Sequence, residues 1–263
     1  SNATAAKVAA DGDLAASNAT YQKVVGHFAQ KVVPAPPLPP LPQSLDSALS
    51  AAFITNPSLE AARWSEIAAR HDIRNRYGDL LPQINLVGEL SRTDETATER
   101  VSGRTNSLKA QVTFPLYQAG AVHSRVRQAK ETRNQRRIII ETTEREITES
   151  TRKAWEALTA ARSQILAREI QVRANGIALE GVRQEAQVGS RTTLDVLDAE
   201  QELIDSQVAL VIAERDEYVA GFQLLSAIGR LTAVDLKLEV GVHNPDGHLG
   251  SVSHRWWGLT PPN

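Results

Sequence analysis

The chain has 263 residues, a net charge of −2 and no cysteine, which excludes disulfides, thiolate metal sites and cysteine nucleophiles. Aromatic residues make up only 5%, few for a large globular core, while Ala, Glu, Arg, Gln and Leu dominate the middle, as in long helices and coiled coils. With charges near balance and no RNP, zinc-finger or basic-helix pattern, nothing points to nucleic acid.

Ser1-Asn2-Ala3 reads as a tag-cleavage remnant, so the absence of a leader is uninformative. No apolar run of about 18 residues occurs, so no transmembrane helix is expected. Residues 4–30 read as a helix that begins in mid-pattern, without a convincing cap. Val32 to Pro42 is a proline-rich connector, extended and semi-rigid because proline fixes φ and removes the amide donor. It reads as a spacer, with a docking site for a proline-binding domain as the minor reading. A helix restarts near Ser44, where Ser44-Leu45-Asp46-Ser47 offers capping residues. Asn56-Pro57 breaks it, and Ser58 to Arg76 continues with Leu59, Ala62, Ile67, Ala68 and Ile73 as the buried stripe.

The period changes at Leu81-Pro82. From Gln83 to Ser91, Ile84, Leu86 and Leu90 take one face and Gln83, Asn85, Glu89 and Ser91 the other, with Val87 and Gly88 as exceptions. A polar loop is expected over Thr93 to Asn106. A second alternation follows, with Leu108, Ala110, Val112, Phe114 and Leu116 against Ser107, Lys109, Gln111 and Thr113. The pair predicts a β-hairpin of strands about ten residues long. That length and alternation suit a membrane β-barrel, although the pattern alone favours a half-buried hairpin on a soluble core. Tyr77, Phe114 and Tyr117 fall at the helix-side ends, where an interfacial aromatic belt would lie.

Ala121 to Val188 predicts an unbroken helix of about 100 Å. Its 3–4 spacing runs through Ile147, Thr151, Ala154, Leu158, Ala161, Ile165, Val172, Leu179, Val182 and Ala186, and Ile138, Ile140, Ile170 and Ile177 widen the stripe. After a tight reversal the spacing resumes through Leu194, Leu197, Gln201, Ile204, Val208, Val211, Arg215, Tyr218, Phe222 and Leu225, as coiled-coil packing requires. This helix ends near Gly229. Residues 241–263, with Arg255-Trp256-Trp257, read as an irregular tail.

The reversal carries the candidate working groups. Gly189 suits the left-handed residue that ends a helix, and Thr192 or Thr193 caps the next. Asp195 and Asp198, three apart, share a face that Glu202 continues. As isolated residues they read as capping or solvated acids. In several copies around an axis they make an acidic ring that attracts cations, and Arg191 is placed to pair with an acid on a neighbouring hairpin.

Asn56-Pro57 with Leu59, Leu81-Pro82-Gln83-Ile84, Phe114-Pro115-Leu116-Tyr117-Gln118-Ala119-Gly120, and above all Val188-Gly189-Ser190-Arg191-Thr192-Thr193-Leu194-Asp195-Val196-Leu197-Asp198-Ala199 resemble the TolC family of trimeric outer-membrane efflux and secretion ducts. Leu225 to Leu236, with Ile228-Gly229-Arg230-Leu231, matches the end of that family's second repeat. The resemblance implies a mainly α fold: a long antiparallel helical hairpin joined to a β-hairpin that contributes to a trimeric transmembrane barrel. Residues 4–31 would be the last helix of a first repeat and 32–43 the inter-repeat linker. Residues 44–80 would be a helical segment of the second repeat and 81–118 the barrel hairpin. Residues 119–240 would form the periplasmic hairpin, with its tip at 188–195, and 241–263 the tail. One repeat alone would not close the duct.

By the same resemblance, Asp195 and Asp198 are constriction acids, Arg191 is a latch residue, and Gly189, Ser190, Thr192 and Thr193 form the tip surface met by a periplasmic adaptor. Ile84, Leu86, Leu90, Leu108, Ala110, Val112 and Phe114 face lipid. The implied partners are two further copies, an adaptor, an inner-membrane pump or ABC exporter, and outer-membrane lipid of a Gram-negative bacterium. Ala186 stands where relatives can carry a latch tyrosine. The competing reading is a soluble coiled-coil scaffold or a periplasmic adaptor hairpin, which has no use for the strands. No His-Glu-x-x-His, Gly-x-Ser-x-Gly, Walker A or Rossmann pattern occurs, so no enzyme, cofactor or metal is expected. His243, His248 and His254 are read as a solvated tail.

Overall fold

The computed structural model describes residues 2–29, 33, 35–94, 102–241, 247, 250, 252 and 253. Two units divide between Pro39 and Pro40. The first holds one helix, α1 (Asn2–Val25), which ends before residue 30 because the chain turns at Gly26, with φ of 90°. The second holds α2 (Leu45–Thr55), α3 (Pro57–Gly78), β1 (Gln83–Asp94), β2 (Ser102–Thr113), α4 (Ala121–Gln187) and α5 (Thr193–Ala227). It is mainly helical with a small β-hairpin. The tail residues Trp256, Trp257, His243, His248 and His254 lie outside the described residues.

Helix α4 is the spine of the second unit. α3 packs along its first part, α2 near its middle, and α5 along the rest. Local chemistry sets the breaks. Ser44 and Ser47 close a capping box on α2. Asn56 caps α3 by accepting from Ser58 N–H at 2.9 Å, with Pro57 at the first helical position, where its missing N–H costs nothing.

The joint between α2, α3 and α5 is closely packed. Asn56 Nδ2 donates to Ala227 O at 2.9 Å, and Thr55 Oγ1 donates to Ile228 O at 2.7 Å. Asn56 thus serves the start of α3 and the end of α5 together, satisfying carbonyls that a helix end leaves without partners. Gly229 turns away with φ of 79° directly over this contact. Ala48, Ala52, Leu59, Leu158, Leu224, Leu225 and Ile228 form the buried core around the joint.

Two heptad readings are corrected by the packing. On α3, Leu59 is buried and Ala62, Ile67 and Ile73 are half-buried, but Ala68 is exposed. The stripe facing α4 runs instead through Leu59, Ala62, Glu66, Ala69 and Ile73, which keeps the 3–4 spacing. Glu66 is tolerated there because Arg133 Nε on α4 donates to its Oε1 at 2.6 Å. That hydrogen bond, then the charges of Arg133, Arg70 and Arg137, holds the Glu66 carboxyl below its ordinary range against the opposing pull of burial.

On α4 the expected residues face inward: Ile147, Thr151, Leu158, Ala161 and Leu179 are buried, and Ala154, Ile165, Val172, Val182 and Ala186 half-buried. On α5 the expected series faces inward only at its end, where Tyr218 and Phe222 are half-buried and Leu225 is buried; up to Arg215 it does not form the seam with α4. Leu194, Leu197, Ile204, Val208 and Val211 are exposed, as are Gln201 and Arg215. The seam runs through Val196, Ala199, Leu203, Ser206, Leu210, Ala213, Ala220 and Leu224, all buried or half-buried. The two series are offset by two residues, about 200° around the helix. Helix α5 therefore carries two apolar stripes on opposite faces, and only one meets α4. Ile138, Ile170 and Ile177 on α4 are likewise exposed.

The strands pair antiparallel, with Ile84 opposite Val112, Leu86 opposite Ala110 and Gly88 opposite Leu108. Both are 12 residues long. Within the polar stretch expected as a loop over 93–106, residues 93–94 and 102–106 are ladder, with Thr93 opposite Gly103 and Asp94 opposite Ser102, and 95–101 lie outside the described residues. Ladder bonds join backbone groups, so the register continues after the apolar alternation stops. β2 ends at Thr113, so Phe114 and Leu116 follow the strand. Pro115 has no N–H to extend it.

Candidate functional site

Five residues, 188–192, join α4 to α5. Gly189 takes φ of 82°; its N–H donates to Ala186 O at 3.1 Å, and Ser190 N–H donates to Glu185 O at 2.9 Å. This is the double closure that glycine allows at a helix end. Thr192 then opens α5. Asp195 N–H donates to Thr192 Oγ1 at 3.3 Å, while Thr192 N–H and Oγ1–H both donate to Asp195 Oδ2 at 2.8 Å.

Asp195 is half-buried by this cap and Asp198, three residues on, is exposed. The Thr192 amide bond, then the Thr192 hydroxyl and the nearby Arg191 charge, hold the Asp195 carboxyl below its ordinary range. Among the described residues Asp198 makes no hydrogen bond or ion pair, so its carboxylate is available. Gly189, Ser190, Thr192 and Thr193 are exposed around the turn.

Arg191 has a partner that the sequence reading did not name. Its Nε donates to Glu185 Oε2 at 2.8 Å, within the same hairpin. This bond, then the charges of Glu185 and Asp195, raises the Arg191 pKa further above its ordinary value. Both side chains are about half exposed, so the pair is weak and exchangeable. A glutamate six residues before an arginine, across a turn closed by glycine, is a signal that could have found it.

Thr192→Ala is expected to lower stability by about 1 kcal/mol, the usual value of a lost N-cap, read by urea unfolding at neutral pH. The Asp195 half of the cap has a folded pKa below its unfolded one. Its contribution is therefore complete above the ordinary carboxylate range, and is lost as pH falls through the lowered value.

At the other end of α4, the even-numbered face of the hairpin is apolar and uncovered over its helix-side half, and turns polar beyond Leu90 with Arg92, Arg104 and Asn106. Ile84, Leu86, Leu90, Leu108, Ala110, Val112 and Phe114 are all exposed, Leu86 at 72% and Leu108 at 74%. Gln83, Asn85 and Glu89 lie opposite Thr113, Gln111 and Ser107 on the polar face. Tyr77, Phe114 and Tyr117 are exposed where strands meet helices, with Lys130 Nζ 5.7 Å from the Tyr77 ring centroid. No helix among the described residues is long and apolar enough to cross a membrane. No group of three or more potential metal ligands occurs among them.

The family model described as "Outer membrane efflux protein" matches residues 48–230. The chain is 38% identical to outer membrane efflux protein BepC of Brucella suis biovar 1 (strain 1330), over 100% of the chain and 58% of that protein. It is 28% identical to outer membrane protein TolC of Escherichia coli (strain K12), over 74% of the chain and 42% of TolC. The chain thus spans about half the length of the curated relatives it matches. In fold it resembles the open-state MtrE outer membrane channel of Neisseria gonorrhoeae, with a TM-score of 0.70 at 19% identity, over 87% of this chain and 53% of that one.

Proposed function

The chain belongs to the outer membrane efflux protein family, and from that premise we propose that it is the second repeat of a trimeric exit duct, with its strands in the membrane and its helical tip as the gate. The family is one of outer-membrane proteins of Gram-negative bacteria, and of channels and transport proteins rather than enzymes. The duct performs no chemistry. Solutes pass through it, and an inner-membrane pump or ABC exporter, joined by a periplasmic adaptor, supplies the energy.

The observation that carries this reading is the hairpin's exposed apolar face. A two-stranded sheet whose helix-side half exposes an apolar face, with Ile84, Leu86, Leu90, Leu108, Ala110 and Val112 on it, needs lipid or a further surface to cover it. Lipid demands a closed barrel, in which further strands pair both edges. The outward stripe on α5 supports the same reading, since a helix apolar on two opposite faces is covered on both sides by neighbouring hairpins. At the tip, copies of Asp195 and Asp198 would form the acidic constriction, Arg191 the latch, and Gly189, Ser190, Thr192 and Thr193 the adaptor surface.

Planar-bilayer conductance of the intact protein tests this. Long-lived steps, blocked from one side by divalent or trivalent cations, are expected. Replacing Asp195 and Asp198 by alanine should weaken that block by about an order of magnitude, because clustered carboxylates concentrate the blocking cation. Block that persists unchanged in the double variant removes the acids from the gate. No conductance from a folded, membrane-extracted trimer removes the duct.

A further inference from the structure

The basic residues of this chain are unevenly placed. Residues 70–80 and 121–137, the strand-side ends of α3 and α4, hold nine Arg and Lys against only Asp72, Asp79 and Glu131, a net of six positive in a chain of net −2. The remainder of α4, 141–187, holds seven basic residues against eight acidic ones. The excess is therefore confined to the end beside the strands.

The charges are also incompletely neutralised. Arg76 lies 3.6 Å from Asp72, Arg125 lies 3.5 Å from Asp79, and Arg133 meets Glu66. Arg70, Arg74, Arg127, Lys130, Arg136 and Arg137 make no ion pair among the described residues. Between α3 and α4 lies a cavity of about 270 Å³ lined by Asp72, Arg76, Arg125, Gln128, Ala129 and Thr132. Two guanidinium groups, an amide and a hydroxyl line one space with the Asp72 carboxylate, and Asp79 meets Arg125 at its edge. Both ion pairs are longer than 3 Å and half-exposed, so the guanidinium forks keep donors for a phosphate diester.

Position decides which phosphate. Arg76 is two residues from the end of α3, and Arg125 four residues past the start of α4. At about 1.5 Å per residue both lie within about 10 Å of the helix ends that lead into the strands, near the depth of a headgroup layer. Exposed Tyr77, Leu81, Leu116 and Tyr117 mark the same level. We infer that the cavity between α3 and α4, with Arg76 and Arg125 as its principal donors, binds the headgroup phosphate of an anionic phospholipid in the periplasmic leaflet, the surrounding basic excess drawing the lipid in. This rests on the outer-membrane reading and adds a ligand to it.

The test uses the intact protein in vesicles of phosphatidylcholine with and without phosphatidylglycerol, with retained lipid counted by native mass spectrometry after detergent extraction. Phosphatidylglycerol is expected to be retained in preference to phosphatidylcholine. In Arg76→Gln/Arg125→Gln its affinity falls roughly thirtyfold, about fivefold per removed charge. The Arg76→Lys/Arg125→Lys variant keeps the charges but loses the guanidinium forks, so it binds more tightly than the Gln variant and less tightly than the unsubstituted protein, which shows that the loss is of charge and not of fold. Equal retention of both lipids, or undiminished retention in the Gln variant, overturns the site. Equal competition by inorganic phosphate overturns its assignment to lipid. Protein that enters neither kind of vesicle overturns the membrane reading as well. Protein that inserts normally but shows no preference overturns this inference alone.

Discussion

Replacing Gly229 by alanine should destabilise the second unit by about 2–4 kcal/mol, combining a left-handed alanine with forced displacement of packed backbone. A Cβ at this position would lie 2.6 Å from Asn56 Cα, 2.7 Å from Thr55 O and 2.9 Å from Pro57 Cδ. None of these is the movable end of a flexible side chain. Relief requires α5 to withdraw from α3, which breaks the Asn56–Ala227 and Thr55–Ile228 bonds. Thermal unfolding of the intact protein, followed by circular dichroism, should show a drop of roughly 6–12 °C. Gly181→Ala is the control. It lies inside α4 with nothing within 4 Å of the added Cβ, so it should leave stability unchanged or raise it by up to about 1 kcal/mol. Equal melting of the two variants would mean that α3 and α5 do not abut.

The second large effect concerns assembly. Val208 belongs to the outward stripe of α5 and is 53% exposed in the single chain. Val208→Asp should leave the hairpin's own seam intact, within about 0.5 kcal/mol as for other exposed positions. In the intact protein the trimer should be lost, because the carboxylate would be buried without a partner against each neighbouring hairpin, at several kcal/mol per ion. Size-exclusion chromatography with light scattering reads the outcome. A trimer that persists would show that this stripe faces water. Ser206→Asp, on the seam against α4, should instead unfold the hairpin itself, so the pair separates the two faces of one helix.

Much of the architecture was legible because the determining residues are local. Asn56-Pro57, Gly189 and Thr192 act through bonds to residues within five positions, and the strand alternation is visible over nine. The phase of α5 up to Arg215 was not legible. Periodicity reports that a helix has an apolar stripe but not which of two stripes meets its partner. Leu, Ile and Val on the outward face outweighed the smaller Ala199, Ser206, Ala213 and Ala220, which mark where α4 comes close. The joint at Asn56 was hidden for a different reason: its partners lie 171 and 173 residues apart, and neither a threonine nor an asparagine announces a distant carbonyl. At the tip, Asp195 and Asp198 stand three residues apart on α5, whereas the Glu185 partner of Arg191 is hard to read because it precedes the turn.

The contacts across the long hairpin also imply an order of folding. Arg191 meets Glu185 six residues away, Arg183 meets Glu200 at 17, Asn175 meets Glu202 at 27, and Arg162 meets Glu217 at 55. Closing the joint first would mean ordering a loop of 171 residues at once, about 2 kcal/mol more chain entropy than a loop a tenth as long. Started from the capped turn, each of these rungs adds at most 28 residues to the segment already closed, far fewer than the 171 of the joint. The hairpin is thus a zipper whose slider begins at the tip, and the glycine joint is the catch that fastens last.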